Sequence, residues 1–344
     1  MSHARSAVSF ALATIFALAI ALSGFVRPTP VSAATPVPAN VFSPYFETWT
    51  SDGLTKTAQQ SGARYFTMAF LETLGRNSCA LAWNGERGRR VGSGAYMSDI
   101  ASLRALGGDV IPSFGGWSAD QHGTEIGDSC KDVNKIAAAY EKVITTYDVS
   151  RLDMDIEGRS LNRTNGIDRR NKAIKLVQDW ATANNRPLKI SYTLPTTRTG
   201  LESDGLAVLH NAIANNVRID IVQPMVFDYY DGASLDMGKS AITALKGLHN
   251  QLKTLLPAKS SAQLWRMEGA TMMIGRDDYP TDIETTTVHN AKELRTFAAS
   301  KGMAVLSFWA IQRDNGSCPG TAGSDSCSGI AQSDWAFTKA LKGF

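Results

Sequence analysis

Apolar residues along this chain fall into two kinds of segment that alternate. Short runs, apolar at almost every position and rich in β-branched and aromatic residues, are separated by longer stretches with apolar residues at helical spacing. Eight short runs read as strands: "VFSPYFETW" from Val41, "ARYFTMAFL" from Ala63, "DVIPSF" from Asp109, "RLDMDIE" from Arg151, "LKISYTL" from Leu188, "IDIVQPMVF" from Ile219, "GATMMIG" from Gly269 and "MAVLSFWAI" from Met303. Between them, stretches such as "NKIAAAYEKVITTY" (134–147) and "NKAIKLVQDWATANN" (171–185) read as amphipathic helices. Strands buried on both faces are apolar throughout, and alternation with helices is the pattern of a parallel sheet with crossovers. Eight such units predict an α/β fold in which the sheet closes on itself as a (β/α)8 barrel, one domain over 41–344.

The fourth run breaks the apolar rule. In "RLDMDIEGRS" (151–160) Asp153, Asp155 and Glu157 occupy every second position. On a strand all three point the same way, with Cα atoms roughly 6.6 Å apart from one to the next. Burial of carboxylates costs several kcal/mol each unless they share protons or find donors, and neighbouring like charges raise one another's pKa. Such a column keeps one member protonated at neutral pH, which is what a general acid for glycoside hydrolysis requires. Glu157, at the carboxyl end of the strand where barrels of this kind hold their chemistry, is the candidate. Two rivals were weighed. A solvated edge strand would leave Leu152, Met154 and Ile156 facing a core while the other face met water. A magnesium or calcium site needs converging oxygens, and residues two apart on a straight strand spread along it, so no metal is expected.

The N-terminus changes the picture of location. Arg5, the apolar run from Ala7 to Leu22, and small residues at Val31 and Ala33 fit a secretory signal peptide over 1–33, followed by an Ala/Pro linker over 34–40. An uncleaved membrane anchor is the competing reading. Cleavage predicts a secreted, extracellular protein with no membrane association and 33 basic against 32 acidic side chains, a balance that argues against nucleic acid as a partner. Export permits disulfides: Cys318 and Cys327 enclose the Gly/Ser-rich "PGTAGSDS", which leaves Cys79 to pair with Cys130. A composition of 43% hydrophobic and 19% charged residues is ordinary for a globular chain and permits a large core. Histidines in no paired or HExxH arrangement argue against a zinc hydrolase, and no GxSxG elbow is present. "GASLDMGKS" (232–240) has five residues between its glycines where a phosphate-binding loop needs four.

Taken together these residues resemble the glycoside hydrolase family 18 chitinases, in the bacterial subgroup without an α+β insertion domain. The family signature DGxDxDxE is matched by "SRLDMDIE", with Ser150 and Arg151 in place of the leading Asp and Gly. "SFGG" (Ser113 to Gly116) is similar to the family's SxGG, "MVFDY" (Met225 to Tyr229) to its sixth-strand motif, and "LSFWAIQRDNGSCPG" to an eighth strand with the Trp that floors the sugar site. The interval between the seventh strand and its helix, 276–288, is too short for the α+β domain of some relatives, which implies an open cleft and endo-type cutting.

The resemblance implies a single catalytic domain, a TIM barrel that needs no cofactor and acts on chitin or chitooligosaccharides. It also implies substrate assistance, in which the acetamido oxygen of N-acetylglucosamine attacks its own C1 to give an oxazolinium ion. Glu157 would protonate the glycosidic oxygen, Asp155 would orient the acetamido N–H, and Asp153 would share a proton with Asp155. Ser113 would hydrogen-bond Asp153, Asp228 would bound the site beside the acetamido group, and Met225 would line the floor. Many relatives carry Tyr at the position of Phe227, which cannot donate that bond; Tyr229 is the expected substitute. Trp309 would stack under the sugar, and Trp117 and Trp83 are candidates to extend the cleft. Rival functions are an endo-β-N-acetylglucosaminidase on the N-glycan core and a non-hydrolytic chitin-binding lectin, although such lectins usually lack the terminal Glu. The protein is expected to act as a monomer, and the chain's end soon after the last helix implies no second domain for insoluble polymer.

Overall fold

The structure, a computed structural model, describes Met1 and residues 34–278 and 284–344. The expected signal segment lies outside the described residues, as does part of the 276–288 interval. The described residues from 34 onwards form one compact unit. Its frame is eight parallel strands. The first, β1, is interrupted: Val41–Phe42 and Tyr45–Glu47 flank Ser43 and Pro44. β2 spans Tyr65–Thr73, β3 Asp109–Gly115, β4 Arg151–Asp155, β5 Lys189–Thr197, β6 Ile221–Met225, β7 Gly269–Met273 and β8 Val305–Trp309.

β1 closes the ring. Its first half pairs with β8 (Val41 with Val305) and its second with β2 (Tyr45 with Thr67), while β2 through β8 pair in chain order. The proline between the halves has no N–H to give a ladder, and the break lets one segment serve two neighbours. The eight-stranded (β/α)8 barrel expected from the pattern is therefore present, with every expected strand at its place.

Eight helices cover the ring: α1 Leu54–Ser61, α2 Met97–Ala105, α3 Val133–Tyr147, α4 Thr164–Ala183, α5 Ser203–Ala214, α6 Met237–Leu255, α7 Val288–Lys301 and α8 Ala336–Leu341. α3 shows why they form. The Asp132 side chain caps it by accepting from the N–H groups of Asn134 (2.9 Å) and Lys135 (3.2 Å). Ile136, Tyr140, Val143, Ile144 and Tyr147 then fall on one buried stripe. Each fully buried aliphatic side chain of this kind contributes about 1.5–3 kcal/mol. α4 begins at Thr164, earlier than 171, because its first turn is polar and carries no periodic signal apart from Ile167. No helix among the described residues is long and apolar enough to cross a membrane.

Three features depart from or refine the pattern. A short strand, Leu81–Trp83, folds back antiparallel on β2 and carries Trp83 inward, where its indole N–H donates to Tyr147 Oη at 2.8 Å. Trp83 is thus fully buried packing and no part of a cleft. Both disulfides join as paired from the sequence, Cys79 with Cys130 and Cys318 with Cys327. Residues of the linker lie across the amino-terminal end of the barrel, with the Thr35 N–H donating to Asp109 Oδ2 at 2.9 Å.

β3 ends in two glycines with left-handed backbone, Gly115 (φ +97°) and Gly116 (φ +81°). A Cβ on Gly115 would sit 2.1 Å from the carbonyl oxygen of Asp155 on β4, and one on Gly116 would sit 2.5 Å from the Phe70 ring. Only glycine permits that approach. Gly115→Ala is therefore expected to destabilise the fold by about 2–4 kcal/mol and to depress activity with it, measured as the shift of the thermal melt and as kcat.

Candidate active site

β4 carries the column as the alternation requires. Leu152 and Met154 are buried towards the helices, and Asp153 and Asp155 point into the barrel. Asp153 is held by four hydroxyl donors. Tyr45 (2.9 Å) and Ser113 (2.7 Å) donate to Oδ2, and Ser191 (2.6 Å) and Thr193 (2.9 Å) donate to Oδ1. Burial still raises its pKa, while these bonds pull in the opposite direction.

Asp155, one step up, has fewer donors. One of its oxygens is buried without a partner. Burial first, and then the charges of Glu157, Asp153 and Asp120, push its pKa well above the carboxylate range. Asp155 hydrogen-bonds Glu157, whose own pKa is pushed up to about 7, chiefly by burial. The four hydroxyls favour the charged form of Asp153 against its burial, and above it Asp155 and Glu157 share a hydrogen bond.

A cleft of about 950 Å³ opens above this column, and every barrel strand or the segment after it contributes to its lining. Its floor is aromatic. The Trp309 ring lies parallel to Phe70, with centroids 5.6 Å apart and planes within 7°. Tyr45 and Trp49 pack on Trp309 at 5.6 and 5.9 Å. Met225, Phe227 and Asp228 line one wall, and Trp117, 59% exposed, stands at the other side. Asp155, Glu157, Asp228, Met225, Phe227, Trp117 and Trp309 are thus brought together around one cleft. Ser113 and Asp153 lie beneath it.

Tyr229 is the exception. Its ring is buried under the Arg198 guanidinium, 4.4 Å from the centroid, and it does not line the cleft. The left-handed backbone of Asp228 (φ +51°) and Tyr230 (φ +52°) turns the chain here, so that Tyr230 faces the cleft instead and hydrogen-bonds Asp228. Burial and the neighbouring Asp277 raise Asp228 to about 10. Oxygens of Asp228, Asp277 and Asp278 come within 4.8 Å of one another, a spacing open to a divalent cation. Here Asp228, raised by burial and by its hydrogen bond with Asp277, relieves the repulsion by holding a proton, and the Arg313 charge opposes the rise that burial and Asp277 cause at Asp278.

Several site residues escaped the sequence reading. Tyr45, Ser191 and Thr193 had a signal: each is a polar position on the inward face of a run otherwise read as apolar. Trp49, Phe70 and Tyr230 had none beyond being aromatic. Asp120, in the short helix Gly116–His122, is wholly buried and accepts the backbone N–H of Glu157. It fixes the end of β4, and nothing in its local sequence marks it.

Comparison with known proteins bears on the same residues. The family model described as "Glycosyl hydrolases family 18" matches residues 41–316. A probable bifunctional chitinase/lysozyme of Escherichia coli is 32% identical over 288 residues, 80% of this chain and 31% of that protein. Endochitinase 11 of Metarhizium anisopliae is 32% identical over 289 residues, again 80% of this chain and 53% of that protein. The matched part of the chain thus spans about a third to a half of the length of these curated relatives. Among solved structures, active domain 2 of a chitinase from Pyrococcus furiosus superposes with a TM-score of 0.77 at 30% identity, over 90% of this chain and 95% of that one. With a family model covering most of the barrel and the DxDxE column at its centre, this chain belongs to the glycosyl hydrolases of family 18.

Proposed function

We propose that the protein is a secreted, endo-acting chitinase that cleaves β-1,4 bonds between N-acetylglucosamine units with retention, through an oxazolinium ion formed by the substrate's own acetamido group. The observation that carries this reading is the column itself: a carboxyl at the cleft surface with a pKa near 7, backed by a second acid that keeps its proton. Glu157 is the acid that protonates the leaving oxygen and the base that then activates water. Asp155, directly beneath, orients the acetamido group and offsets the positive charge that develops on it. Asp153, anchored by four hydroxyls, adds its charge to the burial and the Glu157 charge that raise Asp155.

Aromatic floor and open cleft support the substrate class. The parallel faces of Trp309 and Phe70 suit the apolar C–H surface of pyranose rings. Phe227 offers no donor for the acetamido oxygen, and Tyr230 is the phenol at the cleft wall that supplies one. A lectin reading leaves the proton-holding Glu157 without a task.

The direct test is a time course on N-acetylglucosamine hexamer, following the anomeric form of new ends. Shorter oligomers released in the β form are expected; α products would refute substrate assistance. Glu157→Gln is expected to lower kcat by about 10²–10⁴ while oligosaccharide binding, measured by calorimetry, persists. Retained turnover in that variant would remove Glu157 from its role.

The pH dependence follows from the direction of the shift. Glu157 acts protonated, and its pKa is raised from 4.5 to about 7. The acid is in place below that value and is lost as pH rises through it. A profile of kcat/KM is therefore expected to fall on its basic limb near pH 7, about tenfold per unit.

A further inference from the structure

A second concavity, of about 490 Å³, opens on the same end of the barrel. That volume is within the range of small-ligand sites. Its walls come from the segments that follow β2, β3 and β4. Four cationic side chains line it, Arg76, Lys131, Arg163 and Arg169, against the single carboxylate of Asp128. With 35 basic and 32 acidic residues in the whole sequence, such a local excess is not background.

Two of the guanidinium groups converge on one point. The position that a Cβ would take on Gly123 lies 3.2 Å from Arg163 Nη1 and 3.6 Å from Arg76 Nε. Each guanidinium is tethered by single bonds: Arg76 Nε donates to the His122 carbonyl (2.6 Å), Arg163 Nη1 to Asp128 Oδ2 (2.8 Å) and Arg169 Nε to the Gly127 carbonyl (2.9 Å). The frame is rigid. The Cys79–Cys130 disulfide ties the loop of Arg76 to the segment of Lys131, and Ser129 Oγ donates to the Gly75 carbonyl at 2.9 Å. Planar guanidinium forks gathered on a disulfide-tied frame are a geometry that takes a carboxylate or another oxyanion.

The recess continues the cleft. The helix Gly116–His122 is the wall between them: Trp117 and Ser118 line the cleft, and Gly123, just past the helix end, lines the recess. Seven helical residues span about 10 Å. A polymer that leaves the cleft past Trp117 therefore reaches the cations within a short span of sugars. We propose that this recess is an anion subsite, which takes a carboxylate carried by the N-acetylhexosamine polymer and extends the substrate class from neutral chitin to acidic glycans of the same linkage. The inference rests on the reading of the cleft as a site for N-acetylglucosamine polymers. Neutral chains are cut with the recess unused.

The test compares the full chain with an Arg76→Gln/Lys131→Gln double variant on two substrates, neutral N-acetylglucosamine hexamer and carboxymethyl chitin. Both replaced side chains are exposed, and neither touches the carboxylate column. kcat/KM on the hexamer is expected to stay unchanged, and on carboxymethyl chitin to fall roughly fivefold. Salt at about 0.5 M should produce the same selective loss in the unsubstituted protein. Equal kinetics of the two proteins on carboxymethyl chitin would overturn the proposal. So would calorimetric binding of free sulfate that the variant loses while polymer kinetics stay fixed, since the recess would then serve a free anion. If the unsubstituted protein fails to cut the hexamer, the chitinase reading falls. Calorimetric affinity for carboxymethyl chitin in the two proteins then decides the recess, with equal values counting against it.

Discussion

Everything at the cleft depends on how a closed barrel holds one buried charge. Asp153 sits among hydroxyls from β1, β3 and β5, and these four bonds tie three strands to β4. Hydrogen bonds to a charged group contribute about 1.5–3 kcal/mol each, while burying a carboxylate costs several kcal/mol. The two are comparable, so the anion is tolerated only with its donors in place. The charge of Asp153 helps to raise Asp155 above it, whereas Glu157 is raised chiefly by its own burial. The polar lining of the barrel therefore acts on Asp155 first.

The aromatic floor acts on the same quantity from the other side. Tyr45, Trp49, Phe70 and Trp309 form a continuous apolar surface beside Asp155 and Glu157. Low local polarity strengthens every interaction between charges near it and penalises the ionised forms. The aromatic surface therefore also helps keep Glu157 protonated. Tyr45 belongs to both sets, with its ring against Trp309 and its hydroxyl on Asp153. Floor and column cannot be altered independently.

The barrel was legible because its signal is periodic: eight apolar runs, each followed by a helical pattern, with the column as the one run that alternates in charge. Asp155 and Glu157 were legible because alternate positions along an extended chain point the same way, and Asp228 through the resemblance of "MVFDY" to a family motif. Legibility ended where direction depends on backbone turns. Tyr229 and Tyr230 are neighbours of the same type, and only the left-handed conformation of Asp228 and Tyr230 decides which one faces the cleft. Asp120 was hidden for a related reason, since its contact with the Glu157 N–H depends on how the Gly115–Gly116 turn aims a short helix. Trp83 misled because a fold-back strand has no periodicity of its own at that length.

Charge is distributed unevenly around the cleft, and the two sides differ in kind. On the β6 to β8 side, Asp228, Asp278 and Asp325 line it, with Glu47 buried behind and raised to about 9. Burial raises Asp228 and Asp278, and Arg313 supplies a counter-charge to Asp278. On the β2 to β4 side the recess gathers guanidinium groups. The two sides of the cleft thus differ in sign. On the proposed reading an acidic polymer would be drawn towards the cationic side, whereas a neutral one would meet only the aromatic floor and the polar groups of the wall.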